Sequence, residues 1–377
     1  MQKINESIEE LQEVSFILDE DASFAGLVEI PFKDYQKALV FCDLNLKDSW
    51  WPKIESTISN NIRIDLVNFL VPNEETKSLD KYQDLVECLG ENKCTKDTLI
   101  IAIGGGTILD AIAYLASTYM RGIPLMMIPT TLVGQADAST AGKTCINTSY
   151  SKNALGTLYL PKYVYNNVCI LDSNSHYDLR QGFSEIFKYG LLGSKRLIEL
   201  TFEYKNNPSH TLLMHILRET IRVRIDIRKK DPLASNLGHT FGHALEKITN
   251  FEVNHGDAIS VGTVMALEFS AQEGLIDGHI KADIIDKMNQ LKLNTKISSD
   301  VCPKDLTKIM LTDKKSSNTE IRLVLIRGIG EPYTNNGSYF YPTNPEIIEK
   351  FLQKFITENI YVKEDHWNHL KNHEFRK

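Results

Sequence analysis

The sequence predicts an α/β protein, with a parallel-sheet domain followed by a mainly helical one. Three observations predict it. Short β-rich runs alternate with amphipathic stretches through the first half, at the spacing of strand–helix–strand units. From about Leu179 long stretches at helical period take over. The chain has 377 residues, of which 42% are hydrophobic, enough for two ordinary cores.

The elements follow in order. Ala38 to Cys42 and Ile64 to Leu70 are rich in Val, Ile, Leu and Phe and read as strands. Residues 76–92 carry a helical period. Thr98 to Ile103 is apolar on both faces, as an interior strand of a parallel sheet must be, and it runs into Gly104-Gly105-Gly106. Thr107 to Met120 reads as a helix, and Leu125 to Ile128 and Val168 to Leu171 as strands. In the second half, helical stretches are expected over 179–205, 209–229, 237–250, 256–275, 280–292 and 304–311. One strand-like run, Ile321 to Ile326, interrupts them. The expected boundaries are 1–178, 179–360 and a polar tail over 361–377. No internal repeat is evident.

Composition narrows the function. A formal charge of −7 argues against a generic nucleic-acid or polyanion binder. The six cysteines are scattered without CxxC spacing, so they read as reduced structural thiols of a cytoplasmic protein. The acidic start, MQKINESIEELQEVSFILDE, lacks the basic and apolar regions of a secretory signal. No apolar run approaches a membrane span. His366, His369 and His373 share one face of a possible tail helix, but chain ends fray and no carboxylate supports them. A solvated end is the favoured reading there.

Three segments carry the chemistry. The first is the buried strand, glycine run and helix, with Asp110 expected in the helix's first turn. A dinucleotide pyrophosphate is usually held this way: glycine admits backbone N–H groups close to phosphate, and the helix start adds partial positive charge. That marks the first domain as Rossmann-like. The second, residues 121–161, sets Arg121, Thr130, Thr131, Asp137, Lys143, Lys152 and Asn153 among glycines. Such a segment offers hydrogen bonds and charge to a phosphate.

The third is Asn236-Leu237-Gly238-His239-Thr240-Phe241-Gly242-His243-Ala244-Leu245-Glu246, with two histidines one helical turn apart, followed by His255-Gly256-Asp257. Two imidazoles and a carboxylate with an open position are what catalytic Zn²⁺ requires. Spacing alone leaves open which two histidines ligate, and which acid joins them.

GGGTILD, TYMRGI, PTTLVGQAD, GKT, KNALG, SEIFKYG, NLGHTFGHALE, HGDA and DKK occur in that order between about residues 74 and 315. In them the chain resembles the dehydroquinate synthase family of sugar-phosphate cyclases. The resemblance implies metal ligands at Glu185, His239 and His255, with Zn²⁺ or Co²⁺ as the ion. It implies NAD held by Glu74, Lys77, Gly104, Gly105, Gly106, Asp110, Thr130, Thr131, Lys143, Lys152, Asp172 and Ser173. Asp137, Lys143, Asn153, Lys188, Asn236, His243 and one of Lys314 or Lys315 match substrate-contacting positions. Arg121 matches an arginine that reaches into a partner subunit's site, implying a homodimer.

The activity implied is closure of a sugar phosphate to a carbocycle with phosphate elimination, a carbon–oxygen lyase reaction. For the family's main branch this takes 3-deoxy-arabino-heptulosonate 7-phosphate to 3-dehydroquinate in the shikimate pathway. Alternatives are a paralogous cyclase such as an inosose or aminodehydroquinate synthase, a metal-dependent polyol dehydrogenase of the glycerol-dehydrogenase type, and a non-catalytic ligand-binding relative. The family's DExExGxR segment is shortened here, so that Asp231 is joined almost directly to Asn236. Arg224 stands where a lysine is usual, Ala141 replaces a glycine, and HGD replaces HGE.

Overall fold

The computed structural model describes residues 13–149, 152–231, 233–298, 301–312 and 319–361. The histidine-bearing tail and both Lys314 and Lys315 lie outside the described residues. By its contacts the chain divides into two units. One runs over the described residues through Thr130 and resumes over Ala138–Asn167; the other takes Thr131–Asp137 and the chain from Val168 onward.

The first unit is built on a six-stranded, all-parallel sheet. Its strands are β1 (Ser15–Asp19), β2 (Lys37–Asp43), β3 (Ile64–Leu70), β4 (Thr98–Gly104), β5 (Leu125–Pro129) and, after a hairpin of β6 (Lys143–Ile146) and β7 (Leu155–Leu158), β8 (Tyr163–Asn167). Their order across the sheet is β1-β8-β5-β4-β2-β3. The chain winds one way from β2 to β3 and the other way through β4 and β5, so the switch point falls between β2 and β4. Ligands of open α/β sheets bind beside the carboxyl ends of strands at such a point. Every residue of β4 is buried, as its unbroken apolar run requires.

Helices α1 (Trp51–Ser59), α2 (Leu79–Glu91) and α3 (Gly106–Thr118) connect the strands, with a single turn α4 (Ser139–Ala141) before the hairpin. Leu39, Phe41, Ile100 and Ala102 of the sheet pack with Leu85 and Leu89 of α2 and Ile108, Leu109 and Ile112 of α3.

Two expectations are corrected here. Val168 to Leu171 is not a strand: the strand is the preceding Tyr163–Asn167, and Val168–Ser173 is a 3-10 segment with Val168 to Leu171 buried. A short apolar run fits a buried helical turn as well as a strand, and β1 and Met126–Met127 pair with the residues before it. Asp110 is not in the first turn of α3, because the helix already begins at Gly106. Within residues 121–161, Lys143–Ile146 and Leu155–Leu158 pair as the antiparallel β6–β7 hairpin.

The second unit is helical. It contains α5 (His176–Gly193), α6 (Lys195–Asn206), α7 (His210–Lys230), α8 (His239–Ile248), α9 (His255–Gln272), α10 (Gly278–Gln290), α11 (Pro303–Leu311) and α12 (Pro345–Glu358). The stretch expected as one helix over 179–205 breaks at Ser194, whose hydroxyl caps α6 by accepting from the Leu197 N–H. Short strands complete it: β9 (Ile297–Ser298) with β14 (Ile360–Tyr361), β10 (Ile321–Val324) with β13 (Phe340–Thr343), and β11 (Ile326–Gly328) with β12 (Glu331–Pro332).

The central helix α5 starts on a capping box between Ser175 and Asp178 and is buried continuously from Leu179 to Leu192. It packs on α6, α7 and α9, and α8 packs on α9. No described helix is long and apolar enough to cross a membrane.

Candidate metal centre and cofactor-binding residues

In the helical unit, Glu185, His239 and His255 each offer a donor atom, and the three atoms lie within 4.8 Å of one another. Glu185 projects from the buried middle of α5, while the two histidines are the first residues of α8 and α9. The helix starts can meet because glycine lets α8 and α9 touch backbone to backbone. Gly238, just before His239, sits at φ +73°, and a Cβ on Gly262 would fall 2.2 Å from the Gly238 carbonyl oxygen.

Ring orientation is fixed on both histidines. His239 Nδ1 lies 3.1 Å from the Leu237 carbonyl, which leaves Nε2 turned to Glu185 at 3.7 Å. His255 Nε2 lies 3.1 Å from Glu185 Oε1, and its Nδ1 3.2 Å from Glu246 Oε1.

The electrostatics leave two of the three donors in their ligating form. Burial, with the positive charge of Lys188 behind it, holds His239 well below the usual histidine range, so its imidazole is neutral. Burial alone would raise the Glu185 carboxyl, but the Lys188 ammonium and His255 outweigh it and keep it ionised. Burial opposes a charge on His255, yet Glu246 and Glu185 hold its pKa well above the ordinary value, so a cation bound there takes the place of a proton. Two nitrogens and one ionised oxygen, gathered this closely with fixed rings, fit a divalent transition-metal ion.

Lys188 lies buried one turn from Glu185, pairs with its carboxylate, and sits over the Tyr189 ring at 4.3 Å. Asp137 belongs to a π-helical turn, Gly134–Ala138, a distortion that often marks functional positions. Its carboxylate accepts from the Tyr189 hydroxyl and from Arg224 Nη1. Asn236 is buried in the turn before α8, bonded to the Leu233 carbonyl through its amide. His243 is exposed, its ring centroid 5.2 Å from that of His239.

In the sheet unit, Gly104 ends β4, and a Cβ there would fall 2.9 Å from Ile108 Cβ. One on Gly106 would meet only Ala138, at 3.7 Å. Gly104 is therefore required by packing, whereas Gly106 leaves open room at the start of α3. Thr130 donates its N–H to the Gly104 carbonyl.

Behind the glycine turn, Lys77 is buried, with Nζ 2.9 Å from Asp110 Oδ2 and 2.5 Å from Asn153 Oδ1. Glu74 accepts from the Asn147 side chain at 2.7 Å and lies 3.4 Å from Lys152 Nζ. Lys143 is exposed on β6 and Arg121 is exposed after α3, where Met120, Arg121 and Gly122 all have positive φ. Thr131, Asp172 and Ser173 belong to the helical unit. Thr131 accepts from the Gly134 N–H, Asp172 pairs with His210 at 3.0 Å, and Ser173 donates to the Ile170 carbonyl.

Three residues escaped the sequence reading. Asp43 ends β2 at the switch point, buried, with burial raising its pKa; an acid closing a strand beside the glycine-bearing one was the available signal. Arg224 was noted only as a departure, and no sequence pattern pairs it with Asp137. Glu246 lies on the histidine face of α8, two turns from His239, a period that was legible.

Family models for the 3-dehydroquinate synthase N-terminal and C-terminal regions match residues 68–181 and 182–316. The chain belongs to the 3-dehydroquinate synthase family. It is 33% identical over 293 residues to the 3-dehydroquinate synthase of Ruthia magnifica subsp. Calyptogena magnifica, covering 74% of this chain and 80% of that one.

Solved structures of more distant proteins share the fold. A 2-deoxy-scyllo-inosose synthase complexed with carbaglucose-6-phosphate, NAD⁺ and Co²⁺ superposes with a TM-score of 0.81 at 22% identity, covering 91% of this chain and 97% of that one. A 2-epi-5-epi-valiolone synthase from Streptomyces hygroscopicus subsp. jinggangensis, with NAD⁺ and Zn²⁺ bound, gives 0.81 at 20% identity over 94% of this chain and all of that one.

Proposed function

We propose that the protein is an NAD- and divalent-metal-dependent sugar-phosphate cyclase of the 3-dehydroquinate synthase type. Its reaction would take 3-deoxy-arabino-heptulosonate 7-phosphate to 3-dehydroquinate with elimination of inorganic phosphate, a carbon–oxygen lyase step. The observation that carries this reading is the convergence of Glu185, His239 and His255 within 4.8 Å.

When bound, NAD⁺ supplies reversible hydride transfer, and Zn²⁺ or Co²⁺ supplies polarisation of a substrate oxygen. The chain's own residues do the rest. Glu185, His239 and His255 hold the cation. Lys188 stands in the buried wall beside Glu185, where Nζ can donate to a developing oxyanion. Asp137, locked by Arg224 and Tyr189, presents an oriented carboxylate acceptor.

The exposed His243 imidazole can hold or pass a proton, and Asn236 supplies an amide from the turn before α8. Lys143 and Asn153, with Lys314 or Lys315, are assigned to the substrate's charged groups. Gly104 to Gly106, Asp110, Lys77, Glu74, Thr130 and Lys152 are assigned to the dinucleotide, together with Thr131, Asp172, Ser173 and Lys143. Asp43 joins them as a ribose-hydroxyl acceptor. Arg121 is assigned to a second subunit's site in a cytoplasmic homodimer.

One observation favours a second reading. The segment between α7 and α8 is short: Asp231 caps it by accepting from the Leu233 N–H, and Arg224 is committed to Asp137. The resemblance implies that the arginine of the family's DExExGxR segment contacts a substrate carboxylate, and a paralogous cyclase whose substrate lacks one has no need of it.

Purified enzyme with NAD⁺ and Zn²⁺ or Co²⁺ is expected to release phosphate from a seven-carbon keto-acid sugar phosphate without net NADH. Preference for a six- or seven-carbon phosphate lacking the carboxylate would select the second reading. Steady NADH accumulation with a simple polyol would refute both. His239→Ala is expected to lose bound metal and all turnover, and full activity in that variant would refute its ligand role.

A further inference from the structure

We infer that Glu246 is a positioning residue that sets the ring of His255 for metal binding; this rests on the metal reading above. A neutral imidazole that ligates through Nε2 carries its proton on Nδ1, and that N–H needs an acceptor. His239 meets the requirement with a backbone oxygen, that of Leu237, at 3.1 Å. His255 is the first residue of α9, and its Nδ1 meets instead a side chain, Glu246 Oε1, at 3.2 Å.

The geometry makes this more than a surface ion pair. Glu246 is largely buried, with 15% of its side chain exposed, and it stands on the same face of α8 as His239 and His243. Two carboxylates therefore bracket one ring. Glu185 lies at Nε2, on the side where the three donor atoms gather, and Glu246 lies at Nδ1, on the far side. Of the two orienting acceptors only Glu246 can be altered without changing the backbone. A carboxylate acceptor also makes the imidazole a stronger donor than a carbonyl does.

A rival arrangement is visible in the same atoms. His243, Glu246 and His255 also offer donor atoms within 4.8 Å of one another. In that arrangement Glu246 would be a ligand of a second ion, and its charge would be indispensable. The two roles separate because glutamine keeps an oxygen that accepts from N–H but is a poor metal ligand.

The test is Zn²⁺ affinity, by competition with a chelating dye, and Zn²⁺ stoichiometry, on chelator-stripped wild type, E246A and E246Q. Wild type is expected to bind one ion per chain. E246A should weaken binding by about 10–100-fold, the usual cost of removing a ligand's orienting partner. E246Q should fall between E246A and wild type.

The inference is overturned if E246Q weakens as far as E246A, if E246A binds as wild type does, or if wild type takes up a second ion that E246Q lacks. Should E246A fail to fold, the histidine ¹⁵N spectrum of zinc-loaded wild type decides. His255 protonated at Nδ1 supports the assignment, and protonation at Nε2 overturns it. Failure of the metal reading itself looks different: wild type would bind no Zn²⁺, or His239→Ala would bind it undiminished.

Discussion

At the scale of single residues, the sheet unit buries a charged side chain at Lys77. Its side chain is 5% exposed and its ammonium is shared between Asp110 and Asn153. Burial works against that charge, but Asp110 and Cys145 more than offset it and hold the pKa above the ordinary lysine value. The folded value is raised, so the stabilisation is complete below the unfolded pKa and is lost only as pH climbs through the folded one.

Lys77→Met strands Asp110, which is partly exposed, and should cost about 2–4 kcal/mol. Asp110→Asn added to it should recover part of the loss. The gap between wild type and Lys77→Met should stay constant to about pH 10 and shrink above it. Urea denaturation checks both; a wild-type midpoint for Lys77→Met would refute the pair's structural role. The same residue scale shows what the sequence made legible. Histidines one turn apart, His239 and His243, are legible as one helix face because the helical period is local, but the spacing does not single out His255 as the partner that joins His239 near Glu185. The Arg224–Asp137 bond joins α7 to a distant π-turn, and nothing local encodes it.

At the scale of elements, the α8–α9 contact decides where two of the three candidate ligands stand. A Cβ at Gly262 would meet the Gly238 carbonyl at 2.2 Å and the Gly242 nitrogen at 2.8 Å, and backbone atoms cannot swing aside. Gly262→Ala should therefore destabilise the protein by about 1–3 kcal/mol, as overpacking does, and weaken Zn²⁺ binding at least tenfold. Calorimetry with dye competition measures the two effects, and unchanged affinity would separate the helix contact from the ligand geometry.

Long or continuously apolar elements, such as α7, α9 and β4, were readable to within a few residues. Those that depend on partners were not. β1 is mixed in sequence and is a strand because Tyr163–Asn167 pairs with it along its whole length. The β6–β7 hairpin is held by Thr144 and Thr157, whose hydroxyls lie 2.7 Å apart, a pairing no periodicity reveals.

At the scale of the whole molecule, the two units should respond differently to chelation, because all three donors lie in the helical one. An ion at 100 times its dissociation constant adds about 2.7 kcal/mol to the state that binds it. Removing it should raise amide hydrogen exchange in α5, α8 and α9 and leave β2, β4 and β5 unchanged. Uniform deprotection across both units would contradict this.

The order of the candidate ligands along the chain has a further consequence for assembly. His239 and His255 open neighbouring helices joined by a short turn, so their half of the cage forms as soon as that hairpin closes. Glu185 arrives from a helix that precedes it by two others. A cation captured during folding would thus be gripped first by nitrogen and sealed by oxygen last, and the rate of tight metal uptake would time the docking of α5.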